Sequence, residues 1–312
     1  MKINKPKFWD LKKTTYLSKL LQPFTLPLII NNYFLSLNKK NKNKKIKTIC
    51  LGNIYVGGTG KTPLTIKLNK ILQELNFKTA TIKKFYKEQN DEQILLNNKT
   101  RLYCNKKRSE ALNEAIKDGI EIAIFDDGLQ DRSLKYDLSF VCFNNENWIG
   151  NGKLIPSGPL RENLKSILKY DAIFLNGNEE DNLDIKKSIK KISNNIKIFD
   201  TRYEPTNVDK FDPNDNYLIF SGIGNPNTFR MTLLKNKIKI IKEIIFPDHY
   251  QYKKIDIEQI KHIALNLNLK IITTEKDFVK IPKKYSDDIN FLEIDLIIKK
   301  QDELISFIKS QL

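Results

Sequence analysis

The pattern of apolar and polar positions along the chain predicts an α/β protein. Strand-length apolar runs alternate with longer runs of helical spacing, and the unbroken run at 122–125 is typical of a parallel strand covered on both faces. The other predicted strands are 46–51, 79–82, 138–143, 171–175, 217–220, 238–245, 270–273 and 291–294. The predicted helices are 64–75, 109–117, a lysine-rich surface helix within 176–195, one near Thr228, 255–267, a short one within 273–281, and 303–312.

A change in composition at 203–216 marks a predicted domain boundary, because two prolines stand there among several Asp and Asn residues. The 312 residues are enough to bury a substantial core. We therefore expect an N-terminal segment over 1–45, a parallel-sheet domain over 46–205 and a smaller α/β domain over 206–312.

The segment 16–37 is rich in Leu, Ile, Phe and Tyr, but polar residues and two prolines interrupt it. A membrane-spanning helix needs about 20 mostly apolar residues, so this segment is a poor candidate for one. No small-residue cleavage site follows, as a signal peptide would require. An amphipathic helix in the bilayer interface fits better, and the lysines at 39, 40, 42, 44, 45 and 47 would favour an anionic surface. A core helix pair followed by a solvated lysine run is the alternative.

The chain has 54 Lys and Arg against 37 Asp and Glu, a net charge of +17. Such a charge favours anionic partners. Lys, Asn and Ile are spread along the whole chain without an aromatic and basic RNA-binding signature, so no nucleic-acid partner is expected. Cys50, Cys104 and Cys142 lack paired spacing, which indicates a reducing compartment and no metal cluster.

The glycine-rich run GNIYVGGTGKTP, at 52–63, lies between a predicted strand and a predicted helix. In that setting backbone N–H groups and the helix N-terminus attract a phosphate, Lys61 reaches the β- and γ-phosphates, and the Thr62 hydroxyl ligates Mg²⁺. The residues expected around the nucleotide are Gly57, Gly58, Thr59, Gly60, Lys61 and Thr62. Tyr55 stands where the general pattern has glycine, and a glycine turn with a chance Lys-Thr is the alternative interpretation.

Asp126 and Asp127 follow the predicted strand 122–125. Ligands bind at the carboxyl ends of strands in open α/β sheets, so an acid there beside a phosphate-binding loop is a candidate Mg²⁺ ligand. An Asp-Asp-Gly turn is the rival interpretation, and it weakens once the phosphate-binding loop is accepted.

The chain has two histidines. His262 lies within a helical run and is expected to be structural or exposed. His249 follows Asp248 in a segment with Pro247 and three aromatic residues. Taken alone, this pair favours a structural role over a general base tuned by a carboxylate.

Seven motifs in order resemble those of the tetraacyldisaccharide 4'-kinase family, the lipid A 4'-kinases. Besides GNIYVGGTGKTP they are NDEQ (90–93), DDGLQ (126–130), GNGKLIPSGPLRE (150–162), SGIGNP (221–226), FPDHYQY (246–252) and TTEKDFVKI (273–281). The resemblance covers nearly the whole chain, including the N-terminal apolar segment.

The resemblance implies transfer of the ATP γ-phosphate to the 4'-hydroxyl of a tetraacylated disaccharide 1-phosphate, which forms lipid IV-A. It implies a P-loop NTPase-like sheet domain and a second α/β lobe with the active site between them. It also implies an N-terminal helical segment in the cytoplasmic face of the bacterial inner membrane, peripheral or monotopic. The implied partners are therefore the acylated lipid substrate and the anionic membrane surface, without an obligate protein partner.

The resemblance also implies roles for single residues. Lys61 and Thr62 match the phosphate-binding Lys and the Mg²⁺-binding Thr, and Asp126 and Asp127 match paired acids near the metal and the substrate. Asp91 matches the catalytic base, and His249 matches its partner, which reverses the structural interpretation of that histidine. Further active-site positions are matched by Glu92, by Arg161, assigned to the nucleotide, and by Glu162, assigned to the metal.

Three positions depart from the family pattern. The segment KKFYKEQ, at 83–89, is short and lacks the glycines of an Arg-Gly-Tyr-Gly segment. Asp131 replaces the usual His after DDGLQ, and Asn90 replaces a usual Gly. A membrane-bound nucleotide switch or ATPase acting on a protein partner is the alternative function, because the phosphate-binding loop and the basic N-terminal segment fit it equally well. The shortened segment 83–89 raises a third possibility, a binder that has lost catalysis.

Overall fold

The computed structural model describes residues 5–37, 45–131, 133–177 and 182–312. The chain forms two compact units. The larger unit comprises Met1–Phe85, Thr100–Arg202 and Leu296–Leu312, and the smaller unit comprises Tyr86–Lys99 and Tyr203–Asp295. The sequence predicted a single boundary between the two α/β domains, at residue 206. In the structure, the segment that carries Asp91 belongs to the smaller unit and the C-terminal helix belongs to the larger one.

The larger unit is built on an eight-stranded sheet with the order β12-β7-β6-β5-β1-β4-β2-β3 among the described residues. Every neighbouring pair from β7 to β3 is parallel. The strands are β1 (Lys47–Gly52), β2 (Thr79–Lys84), β3 (Leu102–Asn105), β4 (Ile122–Asp126), β5 (Leu138–Asn144), β6 (Ala172–Asn176), β7 (Lys197–Pro205) and β12 (Ile294–Ile298).

Helices cover the sheet of the larger unit, because its central strands are apolar on both faces. All residues of β4 are buried. One cluster packs Ala123 and Phe125 with Leu112 of a helix, and another packs Val141 with Ile189 of a different helix. The helices of this unit are α1 (Tyr16–Leu21), α2 (Leu26–Leu37), α3 (Lys61–Glu74), α5 (Arg108–Lys117), α6 (Leu183–Lys190) and α10 (Gln301–Gln311).

The smaller unit has a four-stranded parallel sheet with the order β11-β10-β8-β9. Its strands are β8 (Asn216–Ser221), β9 (Lys239–Ile245), β10 (Lys270–Thr274) and β11 (Ile289–Leu292). Its helices are α4 (Asn90–Lys99), α7 (Pro226–Lys235), α8 (Lys254–Asn266) and α9 (Glu275–Phe278). Alternate residues of β8 face opposite layers: Phe220 packs with Ile260 of α8, and Ile219 packs with Leu233 of α7.

The predicted strand 291–294 is wrong as a single element. Residues on either side of Glu293 form two strands, β11 and β12, which belong to different sheets. The strands β3 and β7 and the helix α4 were not predicted. The mixed polar sequence of α4, NDEQILLNNK, gives almost no apolar periodicity, so that helix depends on tertiary packing.

The N-terminal segment is helical but short. A 3₁₀ turn at Lys7–Trp9 precedes α1, and a second at Gln22–Thr25 leads into α2, which has 12 residues. Among the described residues no helix has the length and apolarity needed to cross a membrane. The lysines at 39, 40, 42 and 44 lie outside the described residues.

Candidate active site

The phosphate-binding loop joins β1 to α3 in the larger unit. Gly57 and Gly60 have φ values of 141° and 83°, which side chains with a Cβ rarely adopt, so glycine suits both positions. Gly60 caps α3, which begins at Lys61. The Asn53 side chain donates to the Gly57 carbonyl at 3.2 Å and to the Thr59 hydroxyl at 3.1 Å. These two hydrogen bonds connect the start of the loop to its end.

Backbone hydrogen bonds join the segment 150–162 to the phosphate-binding loop. Val56 N–H donates to the Pro159 carbonyl at 2.9 Å, and Arg161 N–H donates to the Ile54 carbonyl at 2.7 Å. Tyr55, at the position where glycine is usual, is 1% exposed, and its hydroxyl bonds Asp10 and Lys5 of the N-terminal segment. Tyr55 therefore ties the phosphate-binding loop to the start of the chain.

Asp126 lies at the end of β4, where the sequence predicted a metal ligand. Its side chain is 1% exposed, and its Oδ2 accepts from Lys83 Nζ at 2.6 Å and lies 3.4 Å from the Thr62 hydroxyl. Among the described residues its Oδ1 has no hydrogen-bond partner. A buried carboxylate oxygen without a partner is a candidate ligand for a metal ion, because burying that oxygen without any partner is energetically costly.

Asp127 and Arg161 meet beside Lys61. The Asp127 Oδ1 lies 3.7 Å from Lys61 Nζ and 3.3 Å from an Arg161 guanidinium nitrogen. Burial would raise the pKa of the Asp127 carboxyl, but the charges of Lys61, Arg161, Lys83 and Arg108 outweigh it and hold that pKa below its usual value. Asp127 is thus ionised at neutral pH and orients two cations.

Glu162, the other predicted metal ligand, is 7% exposed and lies in a hydrogen-bonded chain. Its Oε1 accepts from Gln130 at 2.9 Å and from the Tyr170 hydroxyl at 2.9 Å. Gln130 in turn accepts from Arg161 at 3.3 Å. The chain of contacts connects Glu162 through Gln130 to Arg161 and Asp127.

These residues fit Mg²⁺ and a nucleotide. Mg²⁺ usually keeps several waters and takes one or two carboxylates together with substrate phosphates. The Thr62 hydroxyl beside the unpartnered Asp126 oxygen provides such a partial set of ligands. The described residues contain no group of three His, Cys, Asp or Glu side chains that could hold a metal ion.

Asp131, one of the departures from the family pattern, has a local ion-pair partner. Arg108 donates to Asp131 at 3.0 Å and to the Asp127 carbonyl at 2.5 Å. The Ser133 N–H and hydroxyl both donate to Asp131 as well. Asp131 therefore helps to fix the turn that presents Asp127, whose φ of 58° is unusual for a residue with a side chain.

Asp91 and His249 meet in the smaller unit, as the resemblance implied for a base and its partner. His249 Nδ1 lies 3.0 Å from both Asp91 oxygens. The Asp91 side chain is fully buried and that of His249 is 20% exposed. A neutral ring that donates from Nδ1 to Asp91 keeps the lone pair of Nε2 available.

Backbone contacts hold His249 in an uncommon conformation, with a φ of 57°. Its N–H donates to the Gly222 carbonyl at 3.1 Å and to Asp248 Oδ1 at 3.0 Å. The aromatic residues around it pack together, with Phe246 and Tyr252 ring centroids 5.1 Å apart. Residues of the motifs SGIGNP and FPDHYQY therefore fix the orientation of the His249 ring.

Two lysines lie close to the pair. Lys276 lies 3.6 Å from Asp91 and 3.3 Å from Glu92, and Lys280 lies 3.9 Å from Asp91. Burial would raise the pKa of the Asp91 carboxyl, but the His249 hydrogen bond and the charges of Lys276 and Lys280 outweigh it and lower that pKa. Asp91 is therefore a stable anion.

The structure thus collects the predicted residues in two groups. The larger unit holds the predicted nucleotide and metal residues, Gly57, Gly58, Thr59, Gly60, Lys61, Thr62, Asp126, Asp127, Arg161 and Glu162, and the smaller unit holds Asp91, Glu92 and His249. Lys83, Gln130 and Lys276 were not predicted. Lys83 could have been found, because it follows a predicted strand as Asp126 does.

Known proteins are similar to this chain over nearly its whole length. The family model described as Tetraacyldisaccharide-1-P 4'-kinase matches residues 17–312. A tetraacyldisaccharide 4'-kinase of Pelagibacter ubique is 51% identical over 97% of this chain and 96% of its own length, and one of Rickettsia typhi is 32% identical over 97% of each. The crystal structure of LpxK from Aquifex aeolicus in complex with ATP has a TM-score of 0.72 at 23% identity, covering 94% of this chain and 99% of its own, and it confirms the fold. The chain belongs to the tetraacyldisaccharide 4'-kinase family.

Proposed function

We propose that this chain transfers the γ-phosphate of ATP to the 4'-hydroxyl of a tetraacylated disaccharide 1-phosphate, a step of lipid A biosynthesis. Family membership supports the overall reaction. The observation that carries the assignment of roles is the Asp91–His249 pair, at 3.0 Å, in a chain that also has a phosphate-binding loop. A nucleotide switch needs the loop but has no use for such a pair.

The larger unit would hold the phosphoryl donor. The loop amides from Gly57 to Gly60 and the Lys61 ammonium would bind the phosphates, while Thr62 and Asp126 would hold Mg²⁺ when it is bound. The metal would neutralise charge on the phosphate oxygens. Asp127 would keep Lys61 and Arg161 in place, since it lies within 3.7 Å of both. Glu162 would act near the metal through Gln130.

The smaller unit would activate the acceptor. A sugar hydroxyl is a poor nucleophile, and a lone Asp with a pKa near about 3.9 is a weak base. The Asp91–His249 pair shares one proton site between two groups and can accept the hydroxyl proton near neutral pH. Phosphoryl transfer depends mainly on positioning and charge neutralisation, so Lys61, Mg²⁺ and the loop amides would contribute the larger share.

A transfer assay with γ-labelled ATP and the disaccharide acceptor in detergent micelles tests the reaction. Lys61→Ala should abolish transfer, whereas Lys70→Ala, on an exposed position of the same helix, should not change it. His249→Ala should lower kcat by roughly 10²–10⁴-fold with a smaller change in KM. His262→Ala, the other histidine, is the matched control. ATP hydrolysis that is indifferent to the acceptor would favour the nucleotide-switch alternative instead.

We also infer that the N-terminal segment rests on an anionic membrane surface. Large apolar side chains on it are exposed to solvent: Tyr16 is 84% exposed, Phe24 67% and Leu20 59%. Side chains of this kind enter the interface between headgroups and acyl chains. Placement on the cytoplasmic face of the bacterial inner membrane rests on the family resemblance and on the scattered spacing of the three cysteines, which indicates a reducing compartment.

Vesicle sedimentation tests this placement. The full chain should pellet with vesicles containing phosphatidylglycerol, and replacing Tyr16, Leu20 and Phe24 together by Ser should release it. Replacing the exposed apolar residues Leu265 and Leu267 by Ser, in the smaller unit, controls for a general loss of apolar surface. Equal pelleting of both variants would contradict the assignment.

A further inference from the structure

The motif TTEKDFVKI contains a cationic side chain to which neither the sequence nor the proposed mechanism gives a role. Lys276 projects from α9 and reaches three carboxylates, which we call the acidic cluster: Asp91, Glu92 and Asp248. The distances from its Nζ are 3.6 Å, 3.3 Å and 3.7 Å respectively. All three carboxylates also lie within 4 Å of a His249 ring nitrogen.

The acidic cluster would not be stable without a cation. Three carboxylates around one imidazole repel each other and favour protonation of either the ring or an acid. Burial would lower the pKa of the Lys276 ammonium, but the charges of Glu92, Asp248, Asp91 and Asp277 outweigh it and raise that pKa. Lys276 is therefore a permanent positive charge at the centre of the cluster.

The base of Lys276 is held rigidly by its neighbour Asp277, which is fully buried. Asp277 accepts from the Gly222 N–H at 2.9 Å, from the Thr274 hydroxyl at 2.7 Å and from the Tyr252 hydroxyl at 3.0 Å, and it lies 2.6 Å from Lys280 Nζ. These partners come from SGIGNP, TTEKDFVKI and FPDHYQY. Asp277 thus joins three motifs in one frame, and Lys276 extends from that frame to the Asp91–His249 pair.

We propose that Lys276 is a positioning residue of the transfer reaction, which holds the acidic cluster in place around His249 so that the ring can accept a proton. The proposal rests on the proposed function, because it assigns Lys276 a role through the Asp91–His249 pair. Lys280 adds a second, more distant charge, at 3.9 Å from Asp91. Among the described residues, the charged groups near the pair include Glu92 on α4, Asp248 on the loop, and Lys276, Asp277 and Lys280 on or after α9.

The pH dependence of transfer distinguishes this role from a purely structural one, in which Lys276 would only hold α4 against α9. Without the Lys276 charge the pair holds its proton more tightly, so the acidic limb of kcat/KM should move upward by about one pH unit in Lys276→Met. Transfer should then fall about tenfold on the acidic side and change little on the plateau. Lys276→Arg should restore the wild-type limb.

Lys99→Met is the matched control. Lys99 pairs with Glu275 at 2.6 Å, so it joins the same two helices without touching the acidic cluster. This variant should lower thermal stability less than Lys276→Met does, because it breaks one partly exposed ion pair, and it should leave the pH midpoint unchanged. If Lys276→Met fails to fold, Lys276→Gln removes the charge with a polar side chain and serves in its place.

Histidine NMR gives a readout that does not depend on activity. With two histidines in the chain, the His249 ring signal can be followed against His262, which is exposed on α8. The His249 titration midpoint should move upward in Lys276→Met and Lys276→Gln, and the His262 midpoint should not move.

The outcomes are distinct. An unchanged His249 midpoint and an unchanged acidic limb in the charge-removing variants would overturn the role of Lys276, as would an equal shift in Lys99→Met. A shifted His249 midpoint, together with wild-type transfer in Asp91→Asn and His249→Ala, would support the role of Lys276 in the cluster and contradict the proposed function of the pair.

Discussion

Lys83 and Asp126 form an almost fully buried ion pair at neighbouring positions of β2 and β4. Their side chains are 2% and 1% exposed, and the strands place them in register. The pair explains how the short segment 83–89, a departure from the family pattern, is still tied to the candidate metal site. A buried pair is tolerated in an apolar sheet only while both partners are present.

Lys83→Met should therefore destabilise the larger unit by about 3–5 kcal/mol, since it leaves the buried Asp126 without its cation. Urea denaturation of the variant measures the change. Adding Asp126→Asn to Lys83→Met removes the uncompensated charge, so the double variant should recover part of the loss. A stability equal to wild type in Lys83→Met would contradict the account of this pair.

Asp91 makes stability depend on pH in a defined direction. Its folded-state pKa is lowered, so it stabilises the protein above its unfolded pKa of about 4, and that contribution is lost as the pH falls through the folded-state value. The difference in thermal midpoint between wild type and Asp91→Asn should be largest at neutral pH and shrink below about pH 4. A difference that grows as the pH falls would show that folding raises the pKa of Asp91 instead of lowering it.

At the scale of elements, α9 is a single helical turn that carries Lys276 and the buried Asp277. Thr274 caps it: its hydroxyl accepts from the Asp277 N–H at 3.1 Å and donates to the Asp277 carboxylate at 2.7 Å. The cap thus fixes both the helix and the buried carboxylate that joins three motifs.

Thr274→Ala should lower the free energy of unfolding by about 1–2 kcal/mol, because it removes the cap and a partner of Asp277. Thr274→Ser keeps the hydroxyl and should lie within about 0.5 kcal/mol of wild type. Chemical denaturation followed by far-UV circular dichroism measures the free energy of unfolding of both variants. Equal losses in the two variants would place the effect in the Thr methyl group instead of the cap.

The elements that could be predicted are those whose own apolar pattern is strong. β1, β4 and β5 are buried along nearly all their length, and the sequence located them to within a residue or two. Asp126 and Asp127 could be found because strand ends are where ligands bind. The role of Lys276 could not, because α9 meets Asp91 and Glu92 only through the tertiary fold.

At the scale of the whole molecule, the net charge of +17 bears on where the chain works. Charge attracts the protein to an anionic surface over about a Debye length, which shrinks from roughly 30 Å at 0.01 M salt to 3 Å at 1 M. The exposed apolar residues of the N-terminal segment would contribute to binding only once they touch the proposed membrane surface.

Binding to phosphatidylglycerol vesicles should therefore fall as the salt concentration rises, without vanishing, whereas binding to neutral phosphatidylcholine vesicles should be weak at every salt concentration. Co-sedimentation across a salt series measures this. Salt-independent binding that is equal on both vesicle types would show that the charge has no part in membrane association.

The central claim is that Asp91 and His249 act as one base in a γ-phosphate transfer. The most direct test is the single-turnover rate of transfer, at saturating ATP and acceptor, in Asp91→Asn, His249→Ala and the double variant. Residues that act as a unit are strongly non-additive, so the double variant should lose no more than about as much as the worse single variant. Losses that multiply in the double variant would show two independent roles and contradict the claim.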